Sequence, residues 1–394
     1  MNILYISPLI SKYRLSAISQ FTDRDPGYAV QKFNRLICQG FVANGHNTKA
    51  LSALPMSRAI SKKMLWVLPK DVENNVSYSY IPFINVSILR NVCLFLYSFF
   101  YVLVWGLFNK KQKFIACDVL AISICIGTLL ASKVLNLRIV GIMTDMPGLM
   151  VTSRKLSTKR RIITAINKSY LSSFSHYVFL TPQMEEVINT KHRPYIIMEG
   201  LVEPVGLDVN KVVAKNKNRV IMYAGGLYEK YGLKTLIEAF HQIDNDNISL
   251  YLYGTGSFIN TLKDYCNIDL RIQYKGLVPN DEVVEMEKKA TLLVNPRPSN
   301  EEFTKYSFPS KTVEYMASAT PVLTTKLPGM PKEYYDYVYL IEEESVAGYK
   351  KALSDALNNS DEVLIKKGKE AQRFILENKN YKYQTFRIVE LVKQ

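Results

Sequence analysis

The residues best placed to do chemistry lie between Leu292 and Lys326, in LLVNPRPSNEEFTKYSFPSKTVEYMASATPVLTTK. Lys311 supplies a mobile cation. Glu314, about one turn further on, supplies a carboxylate that can accept two hydrogen bonds from a ribose diol. Pro296, Pro298, Ser299 and Asn300 break the apolar run Leu292–Asn295. Ser307-Phe308-Pro309-Ser310 then supplies a helix start, with Ser307 as N-cap and Pro309 in the first turn. A loop entering a helix N-terminus gathers free backbone N–H groups and the positive end of the helix dipole, which suits phosphate. Phosphate at Ser310 and Lys311, with sugar hydroxyls at Glu314, describes a nucleotide-diphosphate site.

Positioning such a site takes a run of strands, loops and helices, and the second half of the chain supplies it. Strand Arg219–Ala224 leads into Gly225-Gly226-Leu227, whose glycines let the backbone approach a pyrophosphate, and Lys230 follows as a phosphate contact. Strand Ser249–Tyr253 leads into Gly254-Thr255-Gly256. Strand Arg271–Tyr274 leads into Lys275-Gly276-Leu277-Val278-Pro279, and Asn280 or Asp281 caps a helix over Glu282–Lys289.

This ordered set resembles the retaining glycosyltransferases of family 4. The signature of that family has two glutamates with seven residues between them, then a small-residue helix and a Pro-Val strand. Glu314 matches the second glutamate, and Pro321-Val322 matches the strand. Tyr306 stands in place of the first, which leaves Glu301 or Glu302 in the loop to substitute. Gly226 stands where the family usually carries arginine, with Arg297 or Lys311 as the second positive charge beside Lys230. The resemblance implies a GT-B fold: two Rossmann-like α/β domains with parallel sheets facing a central cleft. It puts the donor diphosphate at Gly225, Gly226, Gly254, Lys230 and Lys311, and the base against the loop carrying Leu277.

The first half reads as the acceptor domain. Its opening strand Asn2–Ile6 precedes a loop with Gly27, which in the family lies against the cleft, and a helix over Tyr28–Asn44. Strands Asp118–Ser123 and Arg138–Thr144 flank a helix Ile126–Leu135. Asp145, at the end of the second strand, is a candidate contact to sugar or acceptor, because ligands of open α/β sheets bind beyond the carboxyl ends of strands. Thr144 replaces the family's histidine, and His46 reads as structural. The expected domains are 1–205 with a returning helix 380–394, and 206–379.

Charge is divided between these halves. Residues 1–200 carry 24 Lys and Arg against 9 Asp and Glu, a net of +15, so the remaining residues are neutral overall. Such asymmetry suits an anionic membrane surface, and the sequence shows no nucleic-acid module. Residues 58–70, with Trp66 among cations, read as interfacial. So does the basic run 154–161. Val92–Phe108 holds 17 residues without charge, at the lower limit for crossing a bilayer. It reads as a helix partly buried in the domain, with Phe95, Phe99 and Val102 toward lipid or the core. Five scattered cysteines without metal spacing suit a reducing compartment.

The expected activity is transfer of a sugar from a UDP- or GDP-sugar to a lipid-linked saccharide. It is retaining, needs no metal or other cofactor, and takes place at the cytoplasmic face of a membrane during cell-surface polysaccharide synthesis. Asp145, Lys230 and Lys311 are the candidate catalytic groups. The donor set is Gly225, Gly226, Lys230, Gly254, Leu277, Arg297, Glu302, Ser310, Lys311 and Glu314. The alternatives are a membrane-docked GT-B partner without activity, an inverting transferase, or a nucleotide-sugar epimerase.

Overall fold

The computed structural model describes residues 1–22, 28–146, 158–204, 215–216 and 218–394. The chain divides into two units, Met1–Leu201 with Tyr381–Gln394, and Val202–Asn380. Gly27 and the loop after Met146 lie outside the described residues, as do the side chains of the basic run 154–161.

In the first unit the order is β1 (Asn2–Ser7), α1 (Lys12–Ile18), α2 (Tyr28–Ala43), β2 (Asn47–Ser52), β3 (Leu65–Trp66), β4 (Asp71–Glu73), β5 (Val76–Tyr80), β6 (Phe83–Ile84), α3 (Ser87–Phe108), β7 (Lys113–Asp118), α4 (Ile122–Val134), β8 (Ile139–Met143), α5 (Thr158–Leu171), β9 (His176–Phe179), α6 (Pro182–Ile188) and β10 (Tyr195–Ile197). Eight strands form one sheet in the order β10-β9-β8-β7-β1-β2-β5-β4, parallel except where β4 pairs with β5. Ile3, Leu4, Tyr5 and Ile6 are fully buried, as expected of a central strand covered on both faces. The terminal helix Tyr381–Lys393 packs on α2. A Cβ on Gly40 would fall 2.4 Å from the Tyr381 carbonyl, so only glycine permits that approach. Asn44 adds a hydrogen bond to the Lys382 carbonyl at 2.8 Å.

Several sequence expectations change here. The strand read at Asp118–Ser123 is β7 and ends at Asp118, whose carboxylate accepts the Leu120 N–H at 3.0 Å and turns the chain into α4. Helix α1 was not anticipated. Its first N–H groups, on Lys12 and Tyr13, are taken by the Glu73 carboxylate at 2.9 and 3.2 Å, so its cap is remote in sequence. Trp66 is not interfacial. It is fully buried on β3, with the Lys63 ammonium 5.0 Å from its ring. Helix α3 buries Leu94, Ser98, Val102 and Trp105, so the face expected to meet lipid at Val102 turns inward. His46 lies with Nδ1 3.4 Å from the N-terminal ammonium, beside the positive-φ Gly45.

The second unit follows as β11 (Arg219–Ala224), α7 (Leu233–His241), β12 (Ile248–Tyr253), α8 (Ile259–Ile268), β13 (Ile272–Gly276), α9 (Asn280–Lys289), β14 (Leu292–Asn295), α10 (Ser310–Ala317), β15 (Val322–Thr325), β16 (Tyr339–Ile341), α11 (Val346–Leu357) and α12 (Asp361–Asn378). Its six parallel strands run β13-β12-β11-β14-β15-β16. Alternate strand residues Ile221, Leu250, Leu252, Leu292 and Val294 share one core with Leu236 and Phe240 of α7, Leu262 of α8 and Leu353 of α11. Helix α10 packs with α12, where Gln372 donates to the Ala317 carbonyl at 2.9 Å. The helix over residues 280–289 has Pro279, not Asn280 or Asp281, at its N-cap. Asp281 and Glu282 fall inside the first turn and still favour the dipole. From β11 the chain steps to β12 and β13, then returns to β14 on β11's other side. That makes a topological switch point, and ligands bind open α/β sheets beyond the strand ends there.

Candidate functional site

The crevice at that switch point is walled by the loops after β11, β12 and β13 on one side and by the β14–α10 segment on the other. Backbone hydrogen bonds fasten the first three loops to one another. Gly225 N donates to Tyr253 O at 3.1 Å, Gly254 N to Gly276 O at 2.9 Å, and Leu227 N to Thr255 O at 2.8 Å. Gly254 has φ +128, and a Cβ there would lie 1.9 Å from the Gly225 carbonyl. Tyr223 donates its hydroxyl to Gly226 O at 2.9 Å. A Cβ on Gly226 would meet the rings of Tyr228 at 2.9 Å and Tyr231 at 3.2 Å.

Helix α10 opens differently from the sequence expectation. Pro309 is its N-cap, without a side-chain cap bond, and Ser307 instead donates to the Phe303 carbonyl at 3.0 Å. Pro309 holds the preceding residue extended, so Ser307 sits too far back to reach the first turn. Pro309 brings no side-chain cap, and the first N–H groups of α10 suit an anion. Two anchors hold the helix. Tyr315, fully buried, donates to Ala224 O at 3.0 Å and accepts from Ala224 N at 2.7 Å, which ties α10 to the end of β11 next to Gly225. Asn295 donates to Thr312 Oγ1 at 3.1 Å, which ties it to β14.

Lys311 is not a free cation. Its Nζ lies 2.8 Å from Glu314 Oε2 and 3.8 Å from Glu287 Oε1. Burial pulls its pKa down, but the two carboxylates outweigh that and leave it raised. The Glu287 side chain is 1% exposed, while Lys311 and Glu314 are each about one third exposed. Sequence reasoning missed Glu287. A signal existed: Val283 and Glu287, four residues apart, share the buried face of α9.

The remaining cations gather elsewhere. The Arg297 guanidinium lies 4.8 Å from the Tyr231 ring centre and 5.5 Å from that of Phe303, and Lys230 lies 5.6 and 5.7 Å from the same two. Cation–π attraction holds both against one aromatic pair. Burial lowers the pKa of Arg297, which still leaves it charged. Glu302 opens a short 3-10 turn and is exposed, as is Glu301. A groove of about 510 Å³ runs between Tyr251, Tyr253, Val278 and Met286. Val278, not Leu277, lines it; Leu277 is 74% exposed. In the first unit, Asp145 stands exposed at the end of β8 and accepts the Met146 N–H at 2.7 Å. The structure thus brings Lys311 and Glu314 together, Lys230 and Arg297 together, and Gly225 against Gly254.

Residues 207–378 match the family model of glycosyl transferases group 1. No curated protein sequence matches the chain significantly. Among solved structures, a glycosyltransferase from Rickettsia africae superposes with a TM-score of 0.66 at 12% identity, covering 100% of this chain and 97% of that one. The lipopolysaccharide outer core galactosyltransferase WaaB, in its apo form, gives 0.62 at 14% identity, with 100% of both chains covered. Anabaena HepE, in complex with UDP, gives 0.61 at 11% identity, again with 100% of both covered.

Proposed function

We propose that this chain, a glycosyltransferase of GT-B fold, is a family 4 enzyme that moves a sugar from a UDP- or GDP-sugar to a lipid-linked saccharide, with retention at the anomeric carbon. The observation that carries this reading is the second unit's switch-point crevice. There the Gly225–Gly226 backbone, the uncapped start of α10 and the Lys311–Glu314 pair meet through the Tyr315–Ala224 anchor. The diphosphate would take the α10 N–H groups, Lys311 and Lys230, and the ribose diol would take Glu314. The departing charge is then met by preorganised donors, with no metal required. Asp145 contacts the sugar or acceptor. The leaving phosphate helps deprotonate the incoming hydroxyl, and a trapped glycosyl-enzyme adduct would contradict that step.

The first unit, which carries the positive excess, would hold the acceptor at the cytoplasmic face of a membrane, in cell-surface polysaccharide assembly. Thermal shift against UDP, GDP, ADP and CMP, with and without EDTA, tests the donor reading, because a ligand of the native state raises Tm by mass action. Stabilisation by UDP or GDP that survives EDTA supports it. Silence to all four favours a docked partner without activity, a reading that Tyr306 and Gly226 at motif positions also suggest. Product stereochemistry separates retention from inversion.

A further inference from the structure

Two consecutive helices of the first unit leave a broad apolar face uncovered. Helix α3 has 22 residues, and 28% of its most apolar window is buried. Ile88, Val92, Leu96, Phe100, Val104 and Phe108 recur every four residues and are all exposed, Phe100 at 60% and Phe108 at 81%. The face continues onto α4, where Ile126, Leu130 and Val134 are also exposed at four-residue spacing. The helices run side by side and parallel. A Cβ on Gly127 would lie 2.3 Å from the Phe95 carbonyl, and one on Gly106 2.4 Å from the Leu135 side chain. Such close approach makes one rigid surface of the two.

We infer that this joint α3–α4 face lies in the plane of a bilayer rich in anionic lipid. Spanning is excluded by topology. Strand β6 before α3 pairs with β3, strand β7 after it lies inside the sheet between β1 and β8, and the inner side of α3 packs on α4. An amphipathic helix with this geometry beds its apolar side at the headgroup–acyl boundary. Charge selects lipid over a second copy of the chain. Between residues 74 and 144 the only acidic residue is Asp118, which is buried, while Arg90, Lys110, Lys111 and Lys133 lie on or just beyond these helices. Pairing two such faces would set lysine against lysine, whereas anionic headgroups neutralise them.

This inference deepens the lipid-linked reading above, but its test needs no turnover. The full chain is sedimented with vesicles of phosphatidylcholine containing roughly one third phosphatidylglycerol, and with phosphatidylcholine alone. Binding to the anionic vesicles is expected, weakened by high salt. Phe100→Ser with Leu107→Ser, the latter 65% exposed and seven residues along the same side of α3, should lower the partition coefficient about tenfold or more. Leu270→Ser, at an 83% exposed site of the second unit, should leave it unchanged. Both native tryptophans, Trp66 and Trp105, are buried, so Phe100→Trp adds an exposed indole that brominated lipid should quench. The circular dichroism and melting temperature of each variant without ligand report its folding. Absent binding, binding indifferent to the serine pair, or a solution dimer dissolved by that pair would overturn the inference. Vesicle binding lost while UDP or GDP still stabilises the protein removes the docking face and spares the transferase reading. The converse result removes the donor assignment alone.

Discussion

Replacing Lys311 by methionine keeps the stem of the side chain and deletes its charge. At 3.8 Å from Glu287, the Coulomb attraction is about 4 kcal/mol at an effective dielectric of ~20. Desolvation has already consumed much of that in the folded protein, so the net worth of the pair is small. Removing one partner is different, because Glu287, 1% exposed, would lose the ammonium 3.8 Å away while staying buried. Breaking a buried pair from one side costs about 3–5 kcal/mol, and water at the partly exposed Lys311 side argues for the lower end. For a unit of this size, about 3 kcal/mol lowers Tm by roughly 6–12 °C. It should be read on the second unit's own calorimetric transition, since two units need not melt together.

A second substitution separates this account from plain loss of packing. Lys311→Met with Glu287→Leu removes both charges, and should recover most of the stability while leaving nucleoside-diphosphate affinity impaired about tenfold or more by isothermal titration. The pH dependence has a definite sign. In wild type, the raised Lys311 contributes fully at neutral pH and fades only above about 10.5, its ordinary value. A single variant as stable as wild type, or a double variant as unstable as the summed singles, would refute the reasoning.

Three further outcomes follow from the same geometry. Gly254→Ala puts a Cβ 1.9 Å from the Gly225 carbonyl at φ +128, so it should cost about 2 kcal/mol or more in chemical denaturation and reduce UDP or GDP affinity as the glycine loops part. Tyr315→Phe strips both hydrogen bonds from Ala224. It should lose about 1–3 kcal/mol in denaturant titration, with weaker nucleotide binding, whereas unaltered binding would show that α10 is positioned by packing alone. Asp269 is held well below its usual carboxylate range by Arg271 first, then His241. A lowered acid stabilises above its unfolded pKa of about 3.9 and loses that effect as pH falls, so Asp269→Asn should narrow the difference between melting at pH 7 and near pH 3.

The sheets were legible in sequence because parallel central strands are apolar without interruption, as in Ile3–Ile6 and Leu292–Val294, and because a proline just beyond each, Pro8 and Pro296, breaks the run. Strand ends were less so. Asp118 reads like the start of a polar loop or the first residue of the next strand, and only its bond to Leu120 N decides. The small β3–β6 and β4–β5 pairings involve strands of only two to five residues, too short for a periodic pattern, and depend on their partners. Hydropathy found α3 but not its orientation, because every face of SILRNVCLFLYSFFYVLVWGLF is apolar. The buried side is picked by Gly127 and Gly106, small residues that let neighbouring groups come close.

The candidate site shows the same limit in its charges. Sequence reasoning placed Lys311 and Glu314 beside each other, since both stand on one helix at a spacing the backbone enforces. Glu287 reaches them from a different helix, and no local pattern encodes that meeting. Arg297 is the converse case. The loop after β11 has no arginine of its own, because at Gly226 a side chain would strike Tyr228 and Tyr231. The positive charge instead stands on the loop after β14, with the Arg297 guanidinium 4.8 Å from that same Tyr231. Strands β11 and β14 are sheet neighbours, so a cation leaving either strand end reaches the same crevice. A departure from the motif at one position is thus compatible with the electrostatics the motif serves, provided the compensating residue lies across the switch point and not along the chain.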